Sequence, residues 1–204
     1  EDLERGVIRC VGNARERFQE DALRILRGVR FAAQLGFELE EETREGMRAL
    51  APTLQKISAE RIQTELLKIL LSGRPDMLRT AWELGMTAWF LPEFDRIMAT
   101  TQETPHHMYT VGEHTLHALL NVRPDKVLRL TMLFHDMGKP DLKTVDEEGT
   151  AHFKKHALRS EEITREVMRR LKFDNETLKN VATLVKYHDY RMPVQGKYVR
   201  RAMN

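Results

Sequence analysis

A chain of 204 residues with 33 Lys and Arg against 31 Asp and Glu has room for one large domain or two small ones, and at +2 it carries almost no net field. Hydrophobic residues at 41% beside charged residues at 31% exclude a disordered, collagenous or low-complexity polymer. No apolar run approaches the roughly 18 residues of a spanning helix, and residues 1–12 lack the basic start and apolar middle of a signal peptide. The expectation is a cytoplasmic, soluble chain with no membrane partner. The single Cys10 excludes an internal disulfide and is too little thiolate for a structural zinc site, so any metal must be held by His and carboxylates.

In chain order, Ala22, Ile25, Leu26, Val29 and Ala33 recur at helical spacing and predict one helix from Arg15 to Leu35, stopped by Gly36. Ser58 reads as the N-cap of a helix carrying Ile62, Leu66, Ile69 and Leu70. Pro75 opens another that Gly85 closes. Residues 99–105 are polar and aperiodic, which places a boundary near residue 100. Pro124 and Gly138 bracket a buried-helix pattern from Val127 to Phe134. The charged stretch from Lys139 to Thr150, with Pro140 and Gly149, predicts a surface loop between two helices. With no alternating strand pattern of useful length and no internal repeat, the chain reads as all-α, with eight to ten helices in two parts, 1–100 and 101–204.

The densest chemistry is in the second part, where seven of the eight His fall between positions 106 and 156. His135 and Asp136 emerge together from a core helix, an arrangement that costs free energy unless something satisfies both groups. A divalent ion does so: imidazole and carboxylate suit several first-row metals, a mixed set with open positions suits water activation, and one carboxylate can bridge two ions. His114 and His156, then the pair His188 and Asp189, lie near other helix ends. His152 and His156 are four apart and would share a face of a continuous helix, as Glu113 and His117 do on theirs. Taken singly, His106, His117 and His152 read as structural. Lys139, beside the pair, reads either as a solvated loop lysine or as a point charge for a phosphate.

These segments resemble the HD-domain metal-dependent phosphohydrolases. Residues 109–116 look like the entry helix with its ligand, Leu133-Phe-His-Asp-Met-Gly-Lys-Pro140 like the signature segment, Phe153-Lys-Lys-His156 like the next His motif, and Val185-Lys-Tyr-His-Asp189 like the late helix. The resemblance implies His135 and Asp136 as the catalytic pair. It also implies a metal set of His114, His135 and Asp136, extended by His156 and His188 in a two-metal version, for Mn2+, Ni2+ or Zn2+. The family's closing Asp is not matched after residue 189, so either the domain is cut short or Asp189 takes that place. Residues 198–204 read as the start of a further helix.

In the first part, Asp21 and Arg24 are three apart on a helical flank with Glu20 and Arg27. Such a couple is ordinarily a surface ion pair worth under about 1 kcal/mol. Its hydrogen-bond polarity allows more. Cytosine and adenine both present an amino donor beside a ring-nitrogen acceptor, so one carboxylate and one guanidinium accept either base, whereas uracil and guanine present the reverse order.

Three segments together, from Asp2 to Arg9, from Arg17 to Phe37 and from Ile57 to Leu66, resemble consecutive motifs of the bacterial CCA-adding tRNA nucleotidyltransferases and related poly(A) polymerases, many of which carry an HD domain behind the neck. By that resemblance Glu20, Asp21, Arg24 and Arg27 are nucleotide-binding, with Arg27 either contacting the triphosphate or shaping the pocket. Asp2 and Arg9 couple neck to head, and Glu60 and Arg61 support the neck. The implied partners are tRNA, CTP and ATP, with a homodimer left open. The family's catalytic head, with its acidic pair for Mg2+, has no counterpart in the sequence, so the chain by itself is expected not to polymerise nucleotides. Two other readings stand beside this one: an HD phosphohydrolase of a small nucleotide, and a non-catalytic tRNA-binding body using Arg165, Arg169, Arg170 and Lys172, or Lys197, Arg200 and Arg201.

Overall fold

The computed structural model describes residues 1–103 and 109–190. His106, the basic residues Lys197, Arg200 and Arg201, and the helix expected over 198–204 lie outside the described residues. The first half runs α1 (Asp2–Arg5), β1 (Val7–Ile8), α2 (Ala14–Glu20), α3 (Leu23–Leu35), β2 (Glu38–Leu39), α4 (Glu41–Leu50), α5 (Ala59–Leu70), α6 (Leu78–Glu83) and α7 (Pro92–Ala99). The second runs α8 (Val111–Leu120), α9 (Lys126–Phe134), α10 (Lys139–Leu142), β3 (Thr144–Val145), β4 (Ala151–His152), α11 (His156–Arg170) and α12 (Asn175–Tyr187). Short 3₁₀ segments span Ala51–Lys56, Pro75–Met77 and Thr87–Trp89.

The fold is all-α, and its strands are two residues long. β1 and β2 pair in parallel with Val7 opposite Glu38, and β3 and β4 pair antiparallel with Thr144 opposite His152. The predicted loop over 139–150 is therefore a short helix leading into a hairpin. Strands this short carry no alternation, which is why the sequence hides them. Helix starts are fixed by side chains that accept otherwise unpaired amides: Asn13 from Arg15 and Glu16, Thr110 from Glu113, Asp125 from Val127 and Leu128, and Asp174 from Thr177. Ser58 is the N-cap position of α5 but makes no side-chain cap bond.

The predicted helix from Arg15 to Leu35 is broken. Asp21 is extended, at φ −148° and ψ 104°, so α2 ends at Glu20 and α3 begins anew at Leu23, whose amide donates to Asp21 Oδ1 at 3.0 Å. The core face of α3 is as the spacing predicts: Leu26, Val29 and Ala33 are buried, as is Ala22 just before the helix. They pack on Ile62, Leu66 and Ile69 of α5, and one hydrophobic cluster continues from there through Phe94, Leu116 and Phe134 to Val167 and Val185.

Polar ties also cross residue 100. Arg79 on α6 grips Glu113 on α8, Arg170 on α11 donates twice to Glu93 on α7 at 2.8 and 2.7 Å, and buried Arg129 on α9 donates to Leu70 O at the end of α5 at 3.0 Å. At the crossing of α7 and α8, a Cβ on Gly112 would stand 2.8 Å from Met98 Cα, so only glycine allows that approach. No helix of the described residues is long and apolar enough to cross a membrane.

Candidate metal centre and nucleotide pocket

The second half converges on Asp136. Asp125 caps α9 and the buried Leu130, Leu133 and Phe134 anchor it, so the helix delivers His135 as its C-cap and Asp136 next, 2% exposed. Gly138 then brings the chain against the start of α11. Its amide donates to Ser160 Oγ at 2.9 Å, and a Cβ there would stand 2.6 Å from Ser160 N and 2.7 Å from His156 O. His114 comes from α8, His156 opens α11 after Lys155 in the left-handed conformation (φ 65°), and His188 caps α12.

Two groups can hold an ion: His114, His135 and Asp136, and Asp136, His156 and His188, the ligand atoms of each lying within 4.8 Å of one another. They share the carboxylate oxygen by oxygen. Oδ2 faces His135 Nε2 at 3.2 Å and His114 Nε2 at 3.7 Å, while Oδ1 faces His156 Nε2 at 3.3 Å and His188 Nε2 at 3.8 Å.

Imidazole tautomers decide what fits between these atoms. Nδ1 of His135, His156 and His188 lies 2.7, 2.9 and 2.6 Å from the backbone carbonyl three residues earlier, of Met132, Phe153 and Val185. A carbonyl only accepts, so each Nδ1 carries the proton and each neutral ring presents a bare Nε2 lone pair to Asp136. His156 Nε2 and His188 Nε2 stand 3.1 Å apart. Buried Asp136 Oδ2 accepts no hydrogen bond of acceptable geometry. Lone pairs and a carboxylate facing one another in a desolvated site repel unless a cation lies among them, and the carbonyl bonds fix the rings as outer contacts of metal-bound His do. The donor set therefore fits a divalent ion.

Titration follows the same geometry. Burial pushes the Asp136 carboxyl up, but the adjoining imidazoles of His135 and His156, whenever they are protonated at Nε2, and the charge of Lys139 outweigh it and hold it well below the ordinary range. Burial pushes His114 and His188 down. It pushes His156 down too, yet the hydrogen bond and charge of Asp136 leave that ring raised.

The remaining sequence candidates fall elsewhere. Asp189 is exposed and belongs to neither ligand group: His188 turns inward to Val185 O, and the next side chain leaves the helix end in another direction. His152 and His156 share no helix face, because His152 lies in β4 and pairs with Asp146 at 2.7 Å. His117 stacks edge-on with Tyr109. Lys139 is no solvated loop lysine: its Nζ is 2.8 Å from Asp136 Oδ2 and donates to Gln102 Oε1 at 3.0 Å. Gln102 was invisible as a site residue, since 37 positions separate it from Lys139 and no local spacing links them.

In the first half, Asp21 and Arg24 do not pair. The break after Glu20 turns Asp21 toward α5, where Arg61 Nη2 reaches its Oδ2 at 3.0 Å, while Arg24 Nη1 donates to Glu20 Oε2 at 2.5 Å and to Arg17 O at 2.9 Å. The two groups open on neighbouring concavities. Arg24 and Arg27 line a cavity of about 320 Å³ with Arg9, Arg17 and Phe31, and Asp21 and Glu20 line a groove of about 660 Å³ with Lys56 and Arg61. Each of these two side chains is thus held by a partner from outside the couple and keeps donors or lone pairs for a further contact. Arg165 and Arg170, read as phosphate contacts, are engaged with Glu161 and Glu93.

Comparison with known proteins covers both halves of the chain. Residues 36–98 match the family described as a probable RNA and SrmB-binding site of polymerase A, and residues 105–203 match the HD domain. A CC-adding tRNA nucleotidyltransferase of Thermus thermophilus is 39% identical over 98% of this chain. The chain is thus similar along nearly its whole length to a tRNA nucleotidyltransferase. An A-adding tRNA nucleotidyltransferase of Deinococcus radiodurans is 34% identical over 98% of the chain, and each of these two relatives is covered over 48% of its own length. The chain thus spans about half the length of these relatives. Among solved structures, the Bacillus stearothermophilus CCA-adding enzyme in complex with CTP superposes with a TM-score of 0.65 at 26% identity, covering 98% of this chain and 43% of that one.

Proposed function

We propose that this chain is the neck and HD portion of a tRNA nucleotidyltransferase, in which Asp21 and Arg24 select cytosine and adenine nucleotides for the 3′ end of tRNA. The observation that carries the reading is correspondence along 98% of the chain to both a CC-adding and an A-adding enzyme. Asp21, steadied by Arg61 and the Leu23 amide, accepts from the exocyclic amine that C and A share; Arg24, steadied by Glu20, donates to the adjacent ring nitrogen. Uracil and guanine present a carbonyl to the carboxylate and an N–H to the guanidinium, and both contacts repel. Arg27, with no ion-pair partner among the described residues, and Arg9 and Arg17 beside it make that cavity cationic, as the phosphates of CTP and ATP require. The triphosphate chemistry and its Mg2+ ions belong to a head domain outside this sequence.

In the HD half, His114, His135, Asp136, His156 and His188 would hold one or two divalent ions such as Mn2+, Ni2+ or Zn2+. Such an ion supplies Lewis acidity toward a phosphate ester and lowers the pKa of water. Asp136 joins the two ligand groups, and the carbonyl bonds of three His keep their Nε2 atoms aimed inward. This supports hydrolysis of a phosphomonoester or a phosphodiester, a 2′,3′-cyclic phosphate among them, as a second activity.

The test of base selection is Asp21→Ala in the full-length enzyme, with incorporation of each of the four nucleotides measured separately. Relaxed preference for C and A over U and G is the expected result. Unchanged preference removes the template role.

A further inference from the structure

The two oxygens of Asp136 are not in equal surroundings. Among the described residues Oδ1 faces the imidazoles of His156 and His188, whereas Oδ2 faces His114, His135 and also the ammonium of Lys139, which at 2.8 Å is nearer than either ring. Lys139 is held from two other sides. Its Nζ donates to Gln102 Oε1 at 3.0 Å and lies 5.2 Å from the centre of the Phe153 ring. Gln102 is itself fixed, because its neighbours Thr101 and Glu103 accept from Lys143 at 2.9 and 2.8 Å and Glu103 O accepts from the Ala151 amide of the hairpin at 2.8 Å. The lysine therefore stays beside the centre whether or not it touches the carboxylate.

We propose that Lys139 is a tethered internal cation that occupies the Oδ2 half of the centre, so that the two halves load unequally. The inference rests on the metal reading above. A divalent ion enters the half formed by Oδ1, His156 and His188 without displacing the ammonium. Entry to the half formed by Oδ2, His114 and His135 requires the ammonium to leave the carboxylate, because two cations cannot share that oxygen in a desolvated site. On leaving, Lys139 keeps Gln102 and Phe153 as partners, so its displacement is reversible and the second ion is weakly held.

Calorimetric titration of the metal-free 204-residue chain with Mn2+ at pH 8 tests this, using wild type, Lys139→Met, His114→Ala and His188→Ala. Methionine keeps the aliphatic stem against Phe153, and Lys139→Gln, read in the same way, serves if that variant folds poorly. Wild type should bind its second equivalent at least tenfold more weakly than its first. His188→Ala should remove the tight equivalent and His114→Ala the weak one. Lys139→Met should strengthen the weak equivalent at least tenfold and leave the tight one unchanged, and a wild type that binds one equivalent beside a Lys139→Met that binds two has the same meaning. Equal affinities in wild type, or a Lys139→Met titration identical to wild type, overturns the role of Lys139 while leaving the metal centre standing. Absence of binding in both proteins overturns the metal centre, and the inference with it.

Discussion

Asp21 shows how one residue changes both local structure and chemistry. By leaving the helical region it ends α2, caps α3 through the Leu23 amide, and turns its second oxygen to Arg61 forty positions away. Sequence spacing assumed a continuous helix and so paired Asp21 with Arg24, whereas Arg24 is held by Glu20 and the Arg17 carbonyl. Residue types and positions were legible; partners set by a backbone break were not. Because Nη1 of Arg24 is spent on those two acceptors, the proposed reading of the base falls to the rest of the guanidinium, and a lysine has no such second edge. Arg24→Lys in the full-length enzyme should therefore cost about tenfold or more in discrimination between C and U, a bidentate base contact being worth about 1–3 kcal/mol; discrimination equal to wild type would show that Arg24 does not read the base. At the other centre, Gly138→Ala forces a methyl against Ser160 N and His156 O, backbone atoms that cannot swing aside. It should destabilise the chain by about 1–3 kcal/mol and weaken metal binding through His156, as denaturant unfolding and metal titration would show.

Elements were legible where their apolar periodicity is long. The faces of α3, α5, α9 and the pattern ending at Gly36 could be read directly, while two-residue strands and the four-residue α10 left no period to detect. The end of α11 carries its own test. Lys172 is left-handed at φ 61°, and the Phe173 amide closes the helix onto Met168 O, the arrangement in which glycine is favoured. Lys172→Gly should raise stability by about 0.5–1 kcal/mol, and a loss on denaturant unfolding would contradict that assignment. At the start of α12, the Asp174 carboxyl is held far below its ordinary range by the Thr177 amide, the Thr177 hydroxyl and Lys126. A depressed carboxylate contributes stability above its unfolded pKa and loses it only as pH falls through the folded one. Hydrogen exchange at Thr177 should therefore stay slow at pH 4 and quicken only in stronger acid, whereas loss of protection near pH 4 would mean that the cap is not made.

At the scale of the whole molecule, two family matches meet near residue 100, but packing does not stop there. The hydrophobic cluster is continuous across that point, and Arg129, Arg79 and Arg170 tie α9, α8 and α11 to the first half. Nothing in local sequence announces these ties, since each links residues at least 34 positions apart. Both tryptophans, Trp82 and Trp89, report the first half. Their fluorescence and far-ultraviolet circular dichroism should follow one coincident unfolding transition, and Arg129→Met, which leaves the Leu70 carbonyl unpaired, should lower its stability by about 1–3 kcal/mol. Two separated transitions in the wild type would show that the halves fold independently.

The convergence of four imidazoles on one buried carboxylate is the most specific chemical feature of the chain, and its metal content is the most direct measurement of what that feature does. Elemental analysis of the purified chain after exposure to excess Mn2+, Ni2+ or Zn2+, beside Asp136→Asn, should find one or two equivalents in the wild type and none in the variant, because both ligand groups depend on that carboxylate. A wild type free of metal, or an Asp136→Asn chain that retains it, would contradict a metal centre organised by Asp136.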